Sequence, residues 1–91
     1  MSANANVDPF RLLLYNLSEE LLPKDVDALK YLAGIGDAVA EECDSGLDVF
    51  KALMRLGKIA PDNVDFLTEL FKSVKRLDLI SLVGMVNRTF Y

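Results

Sequence analysis

Residues 8–21 read DPFRLLLYNLSEEL, and their apolar side chains decide the fold. The large apolar residues recur at spacings of three and four, at Phe10, Leu13, Leu14, Leu17 and Leu21. This spacing places them on one stripe of an α-helix. Asp8 is a residue type that caps helices, and Pro9 suits the first helical position. The stretch predicts a helix that starts at about residue 9 and buries one face.

The chain beyond this stretch keeps the helical pattern and has no run of four or more clean alternations that would indicate a strand. Pro23 suits the start of a second helix, which Gly34 ends. Residues 35–43 predict a short third helix with little apolar content. Ser45 is a suitable N-cap for a fourth helix, and Gly57 ends it.

Two further helices complete the chain. Pro61 is predicted to open the fifth, with Asp62 in its first turn, where the helix dipole favours a carboxylate. The sixth is predicted to run from about Asp78 into the late eighties. The connections have two to six residues, which is typical of antiparallel neighbours in bundles. The expected fold class is all-α, a six-helix antiparallel bundle.

The composition argues against an enzyme. The 91 residues are enough for one domain, and the hydrophobic fraction of 52% is enough for a core. The chain has no histidine, which is the usual general base and a frequent zinc ligand, and Cys43 is its single cysteine. We therefore expect no catalytic residue, no cofactor and no metal. The domain is placed at residues 8–87, after a flexible N-terminus at 1–7 and before a tail at 88–91.

The charges argue against nucleic acid as a partner and for a partner that is itself charged. The net charge is −4, which does not suit a phosphate backbone. Residues 1–48 carry three basic and ten acidic residues, a net charge of −7, and residues 49–91 carry seven and four, a net charge of +3. If the fold keeps these halves on separate faces, copies of the chain can pair head to tail.

No segment approaches the roughly 18 consecutive apolar residues that cross a bilayer. The N-terminal residues also lack the basic and apolar regions of a signal peptide. With a single cysteine, the chain cannot form a disulfide within one copy. Proteins without disulfides are typical of reducing compartments. We expect a cytoplasmic location and no membrane partner.

Two tyrosines lie off the predicted core stripes. At 100° per residue, Tyr15 points away from the apolar face of the first helix, and Tyr31 lies about 140° from Val26 on the second. Exposed tyrosines bind partners well, because the ring buries a large area and the hydroxyl tolerates water. Scattered surface aromatics are also common without any function. The binding interpretation predicts that Tyr15 and Tyr31 share one patch.

A charged sequence, Arg76-Leu77-Asp78-Leu79, joins the fifth and sixth predicted helices. Arg76 is expected at the end of one helix and Asp78 at the start of the next, so the connection can bring the two side chains together. An arginine fork can bind two carboxylates, and Asp25 on the second helix is a candidate for the second. The simpler interpretation is that a cation and an anion each complement a helix dipole.

Five motifs in order resemble the death effector domain, a family of the death-fold superfamily. Together they extend over about residues 8–86, and none is decisive alone. They are FRLLL at 10–14, LKYL at 29–32, SGLDVF at 45–50, DNVDFLTEL at 62–70 and RLDL at 76–79.

The resemblance implies a six-helix bundle that binds other proteins and has no catalysis of its own. The family's charge triad maps onto Asp25, Arg76 and Asp78, and its hydrophobic patch maps onto Tyr15 and Tyr31. The implied partners are other death effector domains, in adaptors, initiator caspases or FLIP-like inhibitors, with self-association or filaments as a further possibility. The third helix here is acidic, whereas it is basic in the adaptor members, so contacts through that helix do not transfer.

Two functions from different classes are consistent with these observations. The first is a homotypic module that assembles adaptor and caspase signalling complexes in apoptosis regulation. The second is a free-standing regulatory protein that uses the same fold to dock unrelated partners such as kinases. Binding to the death effector domains of an adaptor and an initiator caspase distinguishes the two.

Overall fold

Six α-helices account for most of the described chain. A computed structural model describes the backbone of residues 7–90 and the side chains of residues 7–84. The helices are α1 Pro9–Glu19, α2 Pro23–Ala33, α3 Asp37–Glu42, α4 Gly46–Arg55, α5 Asp65–Ser73 and α6 Leu77–Phe90. Within residues 7–90 no strand forms, so the predicted all-α class is confirmed. α6 takes in residues 88–90 of the predicted tail, whereas residues 1–6 and 91 of the predicted terminal segments lie outside the described residues.

The core is built from one face of each longer helix. On α1 the predicted stripe is buried, except that Leu21, which follows the helix, is only half-buried. α1 packs against α4 and α6, α2 packs against α4 and α5, and α3 packs against α4. Near the centre, the rings of Phe50 and Phe71 meet edge to face, with centroids 6.2 Å apart. Such pairs stabilise a core beyond the area they bury.

The predicted helix ends are mostly confirmed. Pro9 and Pro23 occupy first helical positions, and Gly34 ends α2 in the left-handed conformation, with φ +63°. At the start of α4, the Ser45 hydroxyl accepts a hydrogen bond from the Asp48 N–H at 3.3 Å. Asp8 occupies the N-cap position of α1, but its side chain accepts no capping hydrogen bond. Its carboxylate lies 3.8 Å from Arg11 instead.

The predicted start of the fifth helix is wrong. Pro61 and Asp62 lie in a tight turn, which is closed by reciprocal backbone hydrogen bonds between Ala60 and Asn63 at 3.0 and 2.9 Å. α5 begins only at Asp65, which therefore supplies the carboxylate of the first turn in place of Asp62. Proline favours the second position of a turn as strongly as the first position of a helix, and Asp-Asn favours the turn.

The end of α5 is strained at one residue. Lys75 has φ +62° and is the one described residue other than glycine with a positive φ. The Arg76 N–H donates to the Phe71 carbonyl at 2.8 Å, and the Lys75 N–H donates to the Lys72 carbonyl at 3.1 Å. These two bonds define a Schellman ending, whose left-handed position is usually filled by glycine.

Replacing Lys75 by glycine is expected to raise the free energy of unfolding by up to about 1 kcal/mol. Relief of the left-handed strain outweighs the added freedom of the unfolded chain. Urea unfolding followed by circular dichroism measures the change. Lys75→Ala removes the same charge but keeps the Cβ, so it should give no gain. An equal gain from Lys75→Ala would show that the charge is responsible and not the backbone.

Candidate protein-binding site

Arg76 brings together the three charged residues that the sequence predicts as a network. It lies in the connection between α5 and α6, because α5 ends at Ser73 and not at Arg76. Its Nη1 donates to Asp25 Oδ2 at 2.6 Å. Its Nε and Nη2 donate to the two carboxylate oxygens of Asp78 at 3.1 and 3.0 Å. The guanidinium therefore makes a bidentate contact with one carboxylate and a single contact with the other, as its planar fork allows.

Sequence reasoning missed a fourth partner of Arg76. Nη2 also donates to the Glu20 carbonyl, at 3.0 Å, at the carboxyl end of α1. Unpaired carbonyls at a helix end attract a cation, so this contact complements the dipole of α1. Since Asp25 belongs to α2 and Asp78 to α6, Arg76 ties three helices together at one end of the bundle.

Asp25 has two partners and is almost fully buried. Its side chain is only 7% exposed, and that of Arg76 is 19% exposed. Asp25 Oδ2 also accepts a hydrogen bond from the Leu22 N–H at 3.0 Å. That N–H lies at the start of α2, where helix donors lack partners within the helix. The carboxylate thus caps α2 and holds Arg76 with the same oxygen.

The network shifts the pKa values of Asp78 and Arg76. Hydrogen bonds from Arg76 are the main cause that holds the pKa of Asp78 below its usual value. The hydrogen bonds to Asp78, and next to Asp25, raise the pKa of Arg76. Asp78 is 62% exposed, so solvent screens its interaction with Arg76. Arg76 therefore stays charged throughout the pH range in which the domain folds.

The lowered pKa of Asp78 predicts how stability depends on pH. The unfolded value is about 3.9, so the contribution of Asp78 is present above about pH 4 and is lost as pH falls through the lower native pKa. The difference in free energy of unfolding between the wild type and Asp78→Asn should therefore shrink on acidification below pH 4. Urea unfolding at several pH values measures this difference. With Arg76→Ala as the background, Asp78→Asn should lose this dependence, and its persistence there would contradict the assigned cause.

Both predicted tyrosines are exposed. Tyr15 on α1 is 49% exposed and Tyr31 on α2 is 85% exposed. The rings lie on helices with different neighbours, since α1 packs on α4 and α6 and α2 packs on α4 and α5. A single patch formed by the two rings stays a prediction, and so does the role of either ring in binding.

A basic cleft lies between α1 and α4. It has a volume of about 420 Å³, and Arg11, Lys51, Met54 and Arg55 line it. Its three cations are exposed, and Met54 is half-buried. Tyr15 follows Arg11 by four residues, which places the two on the same face of α1. The aromatic ring therefore lies beside the basic cleft.

A weakly acidic cleft of about 510 Å³, with two aspartates and one lysine in its lining, lies between α2 and α3, and Tyr31 forms part of its wall. Gly34 and Gly36 leave space in it because they have no side chains. The lining residues are Asp27, Lys30, Tyr31, Gly34, Gly36, Asp37 and Ala40. The two clefts differ in sign, although the charges do not follow the two halves of the chain. Arg11 comes from the acidic half but lines the basic cleft.

The remaining chemistry of the described residues is sparse. Cys43 is buried, and burial is the main cause that raises the pKa of its thiol, so the reactive thiolate is disfavoured. No group of three or more potential metal ligands forms within the described part of the chain. Among the helices that the structure describes, none is long and apolar enough to cross a membrane.

The fold and the site define a small helical binding module. Its exposed tyrosines and charged clefts lie at the surface, and the Arg76 network joins its helices. The family model of the death effector domain matches residues 10–89, so the chain belongs to the death effector domain family. This confirms the resemblance seen in the sequence. No curated protein matches the chain. The family consists of homotypic protein-interaction domains and is not an enzyme family.

Proposed function

We propose that this domain assembles adaptor and caspase signalling complexes, or filaments, that regulate apoptosis, by binding other death effector domains. The observation that carries the proposal is the pair of clefts of opposite charge, together with the exposed Tyr31 in the wall of the α2–α3 cleft. Family membership supplies the class of partner. We place the assembly in the cytoplasm.

The two clefts support a head-to-tail arrangement. The basic cleft of one copy meets the acidic cleft of the next in such a contact, so an open assembly keeps one free cleft of each sign, one at each of its two ends. Charge complementarity speeds the encounter and fixes its register, and the exposed tyrosine rings add affinity when a partner covers them. The acidic α3 of this domain would repel an acidic surface of a partner. The basic α1–α4 cleft of the next domain is the surface that it does fit.

The Arg76 network has a positioning role in this proposal. Arg76 fixes the end of α1 to the start of α2, through the Glu20 carbonyl and Asp25. α1 carries Tyr15 and α2 carries Tyr31, so the network sets how the two tyrosine-bearing helices are oriented. Asp78 is 62% exposed and remains open to direct contact with a partner.

Binding to purified death effector domains tests the proposal. The folded domain at tens of micromolar is mixed with the labelled death effector domain of an adaptor or of an initiator caspase, and anisotropy and sedimentation are measured. We expect association that weakens as salt is raised. Failure to bind any such domain would count against the proposal. It would favour the free-standing regulator that docks unrelated partners such as kinases.

The tyrosines give a sharper prediction. Tyr15→Ala or Tyr31→Ala is expected to weaken binding by more than about 1 kcal/mol, or about fivefold in Kd, as is usual for an interface aromatic. The helical content should not change, because both rings are exposed. Tyr31→Phe keeps the ring and serves as the control, with near-normal binding. If both alanine variants bind normally, neither ring lies in the interface.

A further inference from the structure

The basic α1–α4 cleft concentrates positive charge in a chain whose net charge is −4. Among residues 7–84, neither Lys51 nor Arg55 has a carboxylate oxygen within 4.0 Å, and Arg11 has only the long contact of 3.8 Å with Asp8. Lys51 and Arg55 are four residues apart on α4, where like charges repel each other. The cleft therefore holds three cations, of which Arg11 has one distant carboxylate partner and Lys51 and Arg55 have none within 4.0 Å among residues 7–84.

Helix dipoles explain only one of these cations. Arg55 lies in the last turn of α4, where a cation is favoured. Lys51 is in the middle of α4 and gains nothing from the dipole. Arg11 lies in the first turn of α1, where the dipole disfavours a positive charge. The arrangement costs stability in the free domain, which is expected of a site that an anion completes.

The lining of the cleft indicates which anion fits. Two guanidinium groups can each bind a phosphate group through two parallel hydrogen bonds, and Lys51 adds a point charge. Met54 adds an apolar surface. The open cleft, of about 420 Å³, has room for a small anion. We propose that the α1–α4 cleft binds a small anion that carries two or three phosphate groups.

The binding site stands without the proposed function, but its regulatory consequence rests on it. The same cleft is the surface to which the acidic face of another death effector domain is proposed to dock. A bound polyphosphate would neutralise the cleft and occupy its volume. It would therefore compete with assembly, so the phosphate ligand acts as an inhibitor of the domain's own interactions.

Equilibrium dialysis with inorganic tripolyphosphate tests the site on the whole chain. The matched comparison is Lys51→Gln/Arg55→Gln against Lys58→Gln/Lys72→Gln, which removes the same charge away from the cleft. We expect the first pair to weaken binding by at least about tenfold and the second by less than about twofold. Circular dichroism confirms that each variant is folded. Equal losses in both pairs, or no binding by the wild type, would overturn the proposal.

Two further measurements separate recognition of phosphate from general charge and from assembly. Citrate has a similar charge without phosphate geometry, and equal binding of citrate would contradict a phosphate site. Adding tripolyphosphate to the anisotropy assay should reduce association with a partner death effector domain. Binding of tripolyphosphate without binding of any death effector domain would support the phosphate site and contradict the proposed function. Binding of a death effector domain without binding of tripolyphosphate would contradict the phosphate site alone.

Discussion

Arg76→Ala is expected to lower the free energy of unfolding by about 2–3 kcal/mol. Breaking a buried ion pair costs about 3–5 kcal/mol, and Arg76 is slightly exposed, so the value falls below that range. Asp25 then keeps only the hydrogen bond from the Leu22 N–H. The expected loss exceeds the roughly 0–1 kcal/mol of an exposed ion pair, because the side chain of Asp25 is almost fully buried. Urea unfolding measures it.

A double-mutant cycle separates this contact from a general effect of the charge. Asp25→Ala combined with Arg76→Ala should cost at least about 1 kcal/mol less than the sum of the single variants. Arg76→Lys should restore only part of the stability, because an ammonium cannot bind two carboxylates with a planar fork. Arg55→Ala, which removes an exposed arginine, is the control and should change stability little. Strict additivity in the cycle would mean that Asp25 and Arg76 do not interact in solution.

Reversing the charge of the α1–α4 cleft is expected to have the largest effect on binding. Lys51→Glu/Arg55→Glu places two carboxylates where the acidic face of the next domain is proposed to dock. Like charges across an interface cost several kcal/mol, so association should weaken by at least about 100-fold, or about 3 kcal/mol. Anisotropy and sedimentation, with wild-type and variant domains compared at one salt concentration, measure the loss.

Compensation between copies makes this prediction specific. A second sample with Asp27→Lys/Asp37→Lys should bind poorly to the wild-type cleft but should pair with the reversed one. Lys58→Glu/Lys72→Glu changes the net charge equally without touching the cleft and should have little effect. If the two reversed samples do not bind each other, the α1–α4 and α2–α3 surfaces are not partners.

Local patterns were sufficient to predict the six helices and the buried face of α1. The stripe from Phe10 to Leu17 is buried, and Gly34 and Ser45 bound their helices as expected. The error at Pro61 arose because proline favours both a helix start and a turn. The turn forms because the backbones of Ala60 and Asn63 exchange two hydrogen bonds. Backbone hydrogen bonds of this kind cannot be recognised from the sequence.

The candidate site was predicted only in part, for two different reasons. Asp25 could be named as a candidate partner of Arg76 because an ion pair with arginine requires an acidic side chain. The Glu20 carbonyl was not, because a backbone acceptor occurs at every residue and shows nothing in the sequence. The basic cleft joins Arg11 on α1 to residues of α4, and the order of the chain does not say that these helices pack. The spacing of Lys51 and Arg55, and the position of Arg11 off the apolar stripe, were the available signals.

The contacts of Arg76 also bear on how long the folded domain lasts. They join residues 51 and 56 positions apart in the chain, whereas contacts within helices join near neighbours. Closing a loop of that length costs chain entropy, so such contacts tend to form late in folding. An interaction absent from the folding transition state affects the rate of unfolding far more than the rate of folding. We therefore expect the loss of Arg76 to shorten the lifetime of each folded molecule while leaving its rate of folding nearly unchanged.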